Sequence, residues 1–206
     1  MFFNYLLKKK FNLNNLQLIQ LKKYYYFLKI YNKKINLTSL LSEQNVYIKH
    51  FYDSFLISKI ISLQKKTKIC DLGTGAGFPG IPIKILYPHL QVCLLESNKK
   101  KIIFLNELIS ILKLSNVFIF NHKIEKHEKK YNLVITRALG NLNVIFKLSS
   151  FVLNKKGYLI AMKGPKYEIE MKKIEKTNSF ILKNKKISEL PFNLGQRVNL
   201  LFQKIK

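Results

Sequence analysis

Residues 69–80 read Ile-Cys-Asp-Leu-Gly-Thr-Gly-Ala-Gly-Phe-Pro-Gly, and this segment is the strongest indication of the fold in the sequence. A short apolar run precedes the glycines, and an apolar segment with helical spacing follows them from Ile81. A glycine-rich loop between a strand and a helix is the context that a nucleotide-binding loop requires. Its glycines let the backbone approach a ligand without an intervening side chain. The loop therefore predicts a sheet that binds a ligand at the carboxyl ends of its strands.

Apolar periodicity on both sides of this loop predicts an α/β chain. Two helices precede it, Leu13 to Ile30 and Leu40 to Ile61, the second with Ser42 as N-cap. Helices are also predicted after it, at Ile81–Leu86, Asn98–Leu112 and Leu142–Leu153. The predicted strands are Lys68–Leu72, Gln91–Glu96, Val117–Asn121, Leu133–Thr136, Gly157–Lys163, Phe180–Ile187 and Arg197–Lys204.

This alternation predicts a mostly parallel, seven-stranded, Rossmann-like sheet that ends in an antiparallel edge hairpin. We expect residues 1–64 to form an N-terminal helical extension and residues 65–206 to form the sheet domain. No linker rich in Pro, Gly or Ser separates the two segments. They are expected to pack as one compact unit.

The acids near the loop favour S-adenosylmethionine over a dinucleotide. Dinucleotide loops usually lack an acid just before the first glycine, whereas Asp71 stands two residues before Gly73. An acid at this position would face a cationic group such as the methionine amine. Glu96 ends the next predicted strand, 19 residues beyond Gly77, where a carboxylate can accept hydrogen bonds from both ribose hydroxyls. The competing interpretation is that the glycines only make a tight turn.

The extended loop, Asp-Leu-Gly-Thr-Gly-Ala-Gly-Phe-Pro-Gly-Ile-Pro at residues 71–82, resembles one particular family of class I methyltransferases. Upstream, Asn32-Lys33-x-x-Asn36-Leu37-Thr38-Ser39 and His50-x-x-Asp53-Ser54 match it, as does Thr136-Arg137-Ala138 downstream. The family is the bacterial ribosomal RNA small subunit methyltransferase G family, also called glucose-inhibited division protein B. The resemblance implies methyl transfer from S-adenosylmethionine to N7 of a guanine, guanine 527, in 16S ribosomal RNA.

The resemblance also implies cofactor contacts at Gly73 and Phe78 of the loop, at Ile124 and Glu125, and at Arg137. Together with the other loop glycines and Glu96, the expected cofactor-binding residues are Gly73, Gly75, Gly77, Phe78, Glu96, Ile124, Glu125 and Arg137. Ile124 could lie against adenine while Glu125 accepts its amino hydrogens, or the two could be a core residue and a solvated charge. Arg137 could hold the methionine carboxylate, hold an RNA phosphate or cap a strand end.

The expected chemistry needs no catalytic residue, because guanine N7 carries a lone pair and no proton. No metal is expected, since the four histidines lack ligand spacing. Cys70 and Cys93 lie in predicted strands and are expected to be reduced and buried. His50 is expected to be structural, and Lys163 is a candidate contact to RNA phosphate.

The net charge of +26 is compatible with an RNA substrate but does not establish one. The chain has 37 Lys and Arg against 11 Asp and Glu among 206 residues, and the only arginines are Arg137 and Arg197. The excess is spread along the whole chain, so either compositional bias or polyanion binding explains it. A methyltransferase of another acceptor and a non-catalytic basic RNA-binding protein are the alternative functions.

The expected partner is 16S rRNA or the small ribosomal subunit. We expect a cytoplasmic protein, because no apolar run reaches the length of a membrane span. It is expected to act as a monomer.

Overall fold

In the computed structural model, which describes residues 2–64, 68–174 and 179–205, seven strands form one sheet. The strands are β1 (Lys68–Leu72), β2 (Gln91–Leu95), β3 (Val117–Phe120), β4 (Tyr131–Arg137), β5 (Leu153–Lys163), β6 (Phe180–Glu189) and β7 (Gln196–Lys204). Their order across the sheet is β3-β2-β1-β4-β5-β7-β6. The strands β1 to β5 are parallel, whereas β7 runs antiparallel to both β5 and β6. This topology confirms the predicted fold class, including its edge hairpin.

The described residues also form eight α-helices, which precede the sheet or connect its strands. They are α1 (Phe2–Phe11), α2 (Asn15–Tyr31), α3 (Glu43–Asn45), α4 (Asp53–Phe55), α5 (Gly80–Leu86), α6 (Lys99–Ile111), α7 (Leu142–Val152) and α8 (Tyr167–Lys172). A π-helix (Val46–Tyr52) joins α3 to α4, and 3-10 turns lie at Leu56–Lys59, Ile124–Lys126 and Pro191–Asn193. The predicted helix from Leu40 to Ile61 is therefore divided into several helical types, although Ser42 is its N-cap as expected.

Two apolar cores lie on opposite faces of the sheet. On one face, Leu21 of α2 and Phe51 of the π-helix pack with α5, α6 and strand residues such as Ile69. On the other face, Ile145 and Phe146 of α7 pack against alternate strand residues. Neighbouring residues of a strand point to opposite faces, so each central strand supplies both cores.

The first core is continuous from α1 and α2 into the sheet. The N-terminal helices therefore cover one face of the sheet and extend to the end of the sheet where the glycine loop lies. Residue 65, the expected start of the second segment, lies outside the described residues.

Candidate active site

The glycine loop leaves the carboxyl end of β1 at the centre of the sheet. Gly73, Gly75 and Gly77 have φ angles of +69°, +61° and +93°, a region that favours glycine. A Cβ atom at Gly73 would lie 2.6 Å from Leu139 Cδ1, and one at Gly77 would lie 2.8 Å from the Tyr24 hydroxyl. Nothing lies within 4 Å of a Cβ at Gly75. Glycine is therefore favoured at all three positions by the backbone φ angle. At Gly73 and Gly77 it is also favoured because a side chain would collide with its neighbours.

The Asp71 side chain stabilises this loop through two hydrogen bonds. Its Oδ2 accepts hydrogen bonds from Thr74 Oγ1 at 2.6 Å and from the Gly80 amide at 2.8 Å. The carboxyl group is fully buried, and burial raises its pKa to about 6. Asp71 lines neither of the two cavities near the loop, because its carboxylate turns inward to these two donors. It therefore ties the loop to the start of α5, which differs from the expected contact with a cationic ligand group.

A cavity of about 490 Å³ opens beside the loop and contains four of the eight expected cofactor residues. These four are Gly73, Glu96, Ile124 and Glu125. The remaining wall consists of Leu95, Ser97, Lys101, His122, Lys123, Ala138, Leu139 and Leu148. We call this space the loop cavity. Apolar side chains and a half-buried carboxylate in one cleft suit an adenosine group.

Glu96 connects the loop cavity to the glycine loop. Its Oε2 accepts a hydrogen bond from the Gly75 amide at 3.0 Å, and its Oε1 accepts from the amides of Ser97 and Asn98, each at 2.9 Å. A carboxylate oxygen can accept two hydrogen bonds, so Oε2 keeps one acceptor position. Glu96 lines a cavity of suitable size, and the residues present fit the ribose of S-adenosylmethionine.

The other four expected residues lie around the loop cavity and do not line it. The Gly75 amide donates a hydrogen bond to Glu96, which lines the loop cavity, while Gly77 lies close to the Tyr24 hydroxyl. Phe78 is buried, and its ring lies 5.1 Å from that of Tyr24 and 4.4 Å from that of His50, both nearly parallel to it. Phe78 thus supports the loop from within the core. Arg137 borders a second cavity.

This second cavity, which we call the cationic cavity, has a volume of about 430 Å³. It shares Ala138 with the loop cavity, so the two are adjacent at the end of β4. Its lining residues are Leu40, Lys49, His50, Asp53, Arg137, Ala138, Met162, Lys163, Gly164, Glu170 and Arg197. The N-terminal helical segment therefore supplies one wall, and the ends of β4, β5 and the start of β7 supply the other.

Arg137 is fixed within the wall of the cationic cavity. Its Nη1 donates to the Lys49 carbonyl at 3.0 Å and to Asp53 Oδ2 at 3.1 Å, and its Nη2 lies 3.2 Å from His50 Nδ1. Its guanidinium also lies 5.1 Å from the centre of the Phe78 ring. Arg137 thus does more than cap a strand end, because it joins the glycine loop to the N-terminal segment.

His50 is a neutral acceptor at this site. Burial, and secondly the positive charge of Arg137, lower the pKa of His50 to about 3. Because a guanidinium only donates, His50 Nδ1 must accept, and its Nε2 then donates to Thr38 Oγ1 at 3.0 Å. Both ring nitrogens are engaged, as the expected structural role requires.

Asp53 and Arg197 are residues to which the sequence assigned no role. Arg197 Nε lies 3.3 Å from Asp53 Oδ2, which also binds Arg137. The scarcity of arginine in a lysine-rich chain could have identified Arg197, and the His50-x-x-Asp53-Ser54 match to the family could have identified Asp53. Lys163, the candidate contact to RNA phosphate, forms an ion pair with Glu170 at 2.7 Å.

Both cysteines are free and buried, and they face each other across β1 and β2 as partners in the strand register. Burial raises the pKa of each thiol. Within residues 2–64, 68–174 and 179–205, no cluster of three His, Cys, Asp or Glu side chains is arranged to hold a metal ion. None of the helices in these ranges is both long and apolar enough to cross a membrane.

Sequence comparisons identify the family. The model of the rRNA small subunit methyltransferase G family, GidB, matches residues 17–199. The chain belongs to this family. A "Ribosomal RNA small subunit methyltransferase G" of Aster yellows witches'-broom phytoplasma is 47% identical over 204 residues, covering 96% of each chain. One from Bacillus licheniformis is 36% identical over 206 residues, covering 96% of this chain and 86% of that protein.

Membership in the methyltransferase G family confirms the resemblance, the enzyme class and S-adenosylmethionine as cofactor. Solved structures agree on the fold. The M. jannaschii TYW2 complex with AdoMet has a TM-score of 0.57 and 20% identity, and the match covers 80% of this chain and 78% of that one. Mitomycin 7-O-methyltransferase MmcR has a TM-score of 0.64 at 11% identity, with 87% of this chain and 60% of that one covered.

Proposed function

We propose that this protein transfers the methyl group of S-adenosylmethionine to N7 of a guanine in 16S rRNA. The position proposed from the family is guanine 527. The observation that carries the proposal is the pair of adjacent cavities: an adenosine-sized cleft at the glycine loop and a cationic cavity beyond Ala138. The first suits the cofactor, and the second suits an acceptor that brings negative charge.

The loop cavity would hold the adenosine part of the cofactor. Gly73 allows close approach, the free acceptor position on Glu96 Oε2 suits a ribose hydroxyl, and Ile124 offers an apolar surface beside the adenine. When bound, the cofactor supplies a methyl group on a positively charged sulfur. The neighbouring protein groups need only hold and orient it.

The cationic cavity is suited to a reaction without proton transfer. Among its described lining residues, the groups able to accept a proton are His50, Asp53 and Glu170, and each is paired with a cation: His50 and Asp53 with Arg137, and Glu170 with Lys163. The imidazole of His50 is neutral, but neither of its nitrogens is free to take a proton. Guanine N7 has no proton to lose, so placing its lone pair in line with the methyl group is sufficient. An acceptor such as a hydroxyl or an exocyclic amine would require a free base.

The direct test is a chemical cleavage assay for 7-methylguanine in 16S rRNA from cells with and without this protein. We expect cleavage at a single guanine only when the protein is present. Methylation of isolated small subunits with radiolabelled cofactor should restore that cleavage site. Cleavage that is the same in both strains, or label in another nucleotide, would contradict the proposal.

We further propose that the protein acts as a monomer in the cytoplasm on 16S rRNA or the small ribosomal subunit. Analytical ultracentrifugation at micromolar concentration tests this, and a species of twice the 24.3 kDa chain mass would contradict it.

A further inference from the structure

Both arginines of the chain meet at one buried carboxylate. Asp53 Oδ2 accepts a hydrogen bond from Arg137 Nη1 at 3.1 Å and forms an ion pair with Arg197 Nε at 3.3 Å. The side chain of Asp53 is 1% exposed, whereas those of Arg137 and Arg197 are 17% and 25% exposed. The carboxylate therefore lies beneath the two guanidinium groups, and they separate it from solvent.

This cluster leaves uncompensated positive charge at the cationic cavity. Lys49, Arg137, Lys163 and Arg197 line the cavity together with only two acids, Asp53 and Glu170. The cavity thus carries an excess of two positive charges. Burial raises the pKa of Asp53, while Arg137 and Arg197 act against that shift and favour the ionised form. A buried carboxylate between two arginines holds them in place without neutralising both.

Arg197 has the greater freedom to bind a ligand. Arg137 already bonds to the Lys49 carbonyl, His50 and Asp53. Arg197 uses Nε for Asp53 and one Nη1 hydrogen for the Gln196 carbonyl. Three of its five N–H donors consequently have no partner among the described residues. Lys163, by contrast, is paired with Glu170 and also donates to the Gly140 carbonyl.

The position of Arg197 separates it from the cofactor. It lies at the start of β7 and lines the cationic cavity, but it does not line the loop cavity. The Arg137 guanidinium lies 5.1 Å from the centre of the Phe78 ring in the glycine loop, so Arg137 is the better candidate for the methionine carboxylate and Arg197 is the better candidate for the RNA. Leu40, Ala138 and Met162 add an apolar wall to the same cavity, as a nucleotide base requires.

We propose that Arg197 binds a phosphodiester group of the target RNA and that Asp53 is the positioning residue that aligns Arg197 with the cationic cavity. This inference rests on the proposed function for the identity of the RNA. A guanidinium donates two parallel hydrogen bonds to phosphate, but only if its plane is fixed. The Nε contact with Asp53 and the Nη1 hydrogen bond to the Gln196 carbonyl fix that plane and leave three N–H groups free.

The proposed role of Asp53 predicts that removing its negative charge weakens RNA binding, although the net positive charge rises. Asp53→Asn raises the net charge by one, so a purely electrostatic role predicts tighter RNA binding. If Asp53 aligns Arg197, the same substitution weakens RNA binding, because the guanidinium loses its anchor. The direction of the change separates the two roles.

The experiment measures binding of a labelled 16S rRNA transcript at several KCl concentrations, which requires no methyl transfer. Arg197→Ala should weaken binding about tenfold, the effect of one lost hydrogen-bonded charge. It should also reduce the slope of log affinity against log salt by about 0.7 to 0.9. The matched control is Lys155→Ala, which removes one exposed charge near the opposite end of β5. We expect it to weaken binding less than twofold.

Circular dichroism shows whether each variant is folded, and cofactor affinity, measured by calorimetry, shows which ligand the cavity takes. Arg197→Ala and Arg197→Lys should leave it unchanged, and Arg197→Lys should weaken RNA binding less than Arg197→Ala. Equal RNA binding by Arg197→Ala and Lys155→Ala, or tighter binding by folded Asp53→Asn, would overturn the proposal. Loss of cofactor affinity in folded Arg197→Ala would assign the site to the methionine carboxylate instead. A wild-type protein that binds RNA without forming 7-methylguanine contradicts the proposed function, not the role of Arg197.

Discussion

At the scale of single residues, Gly75 allows a direct test of the glycine loop. It adopts φ +61° with open space around its Cβ position, and its amide donates to Glu96. Gly75→Val should strain the backbone by about 1–3 kcal/mol and displace this donor, so we expect cofactor affinity to fall at least tenfold. Isothermal titration calorimetry with S-adenosylmethionine measures it.

Gly195→Val is the matched control for this substitution. Gly195 also has a positive φ, +103°, and open space, but it does not line the loop cavity. We expect a similar loss of stability with normal cofactor affinity. If both variants lose cofactor equally, general destabilisation explains the result and our placement of the cofactor is wrong.

Asp71 should give the protein a pH-dependent stability. Burial raises its pKa from the ordinary value of 3.8 to about 6, so the folded state retains its proton where the unfolded state loses it. Stability from this residue therefore falls as pH rises from about 4 to 6, by about 3 kcal/mol in total, and is constant above that range. Urea denaturation of wild type and Asp71→Asn at each pH measures the effect. The wild type should lose stability relative to the variant over this interval; a constant difference would contradict it.

The site could be predicted from sequence where a function is carried by local spacing. Glu96 and the three glycines belong to one β1-loop-α5-β2 unit, and the structure places Gly73 and Glu96 in one cavity and joins Gly75 to Glu96 by a hydrogen bond. The inward orientation of Asp71 depends on donors from Thr74 and Gly80, which the spacing alone did not decide. The contact between Asp53 and Arg197 joins residues far apart in sequence, and no local pattern encodes it.

At the scale of secondary structure, the strands and the periodic helices were predictable, whereas α1, α8 and the π-helix were not. The predicted helices at Leu13–Ile30 and Asn98–Leu112 agree with α2 and α6 to within two residues. The π-helix escaped prediction because its hydrogen bonding has no distinct apolar period. The helix α1 is anchored by few buried side chains, chiefly Leu7, and α8 has only six residues. Such short helices depend on tertiary contacts more than on their own sequence.

The helix α2 contributes to the cofactor site through Tyr24. The Tyr24 hydroxyl donates to the Ala76 carbonyl in the glycine loop, and its ring stacks on Phe78. Tyr24→Phe removes only the hydroxyl and leaves that buried carbonyl without its partner, at a cost of about 1–3 kcal/mol. We expect lower stability and a cofactor affinity reduced several-fold, measured by denaturation and calorimetry. Tyr26→Phe, on the exposed face of the same helix, should change neither; equal effects of the two would exclude a specific role for Tyr24.

At the scale of the whole molecule, the net charge of +26 is a weaker guide to function than the position of two arginines. Lysines cover the surface generally, whereas Arg137 and Arg197 converge on one cavity. General charge raises the affinity for any polyanion, and it does so without orienting the RNA. The part of the charge that we propose to be functional is therefore the part that a buried carboxylate holds in place.

The packing of α2 against the sheet leads us to propose that residues 1–64 and 65–206 unfold as one cooperative unit. Leu21 of α2 is 0% exposed within the core that includes sheet residues, whereas Leu16 of the same helix is 63% exposed. Leu21→Ala should cost about 2–5 kcal/mol, and Leu16→Ala less than about 0.5 kcal/mol. In calorimetric melting, Leu21→Ala should lower one transition that contains all the unfolding enthalpy, because the helix and the sheet share that core. Two transitions, of which Leu21→Ala lowers the melting temperature of only one, would mean that the N-terminal segment folds separately. The cationic cavity, which both segments line, would then lie at a domain interface.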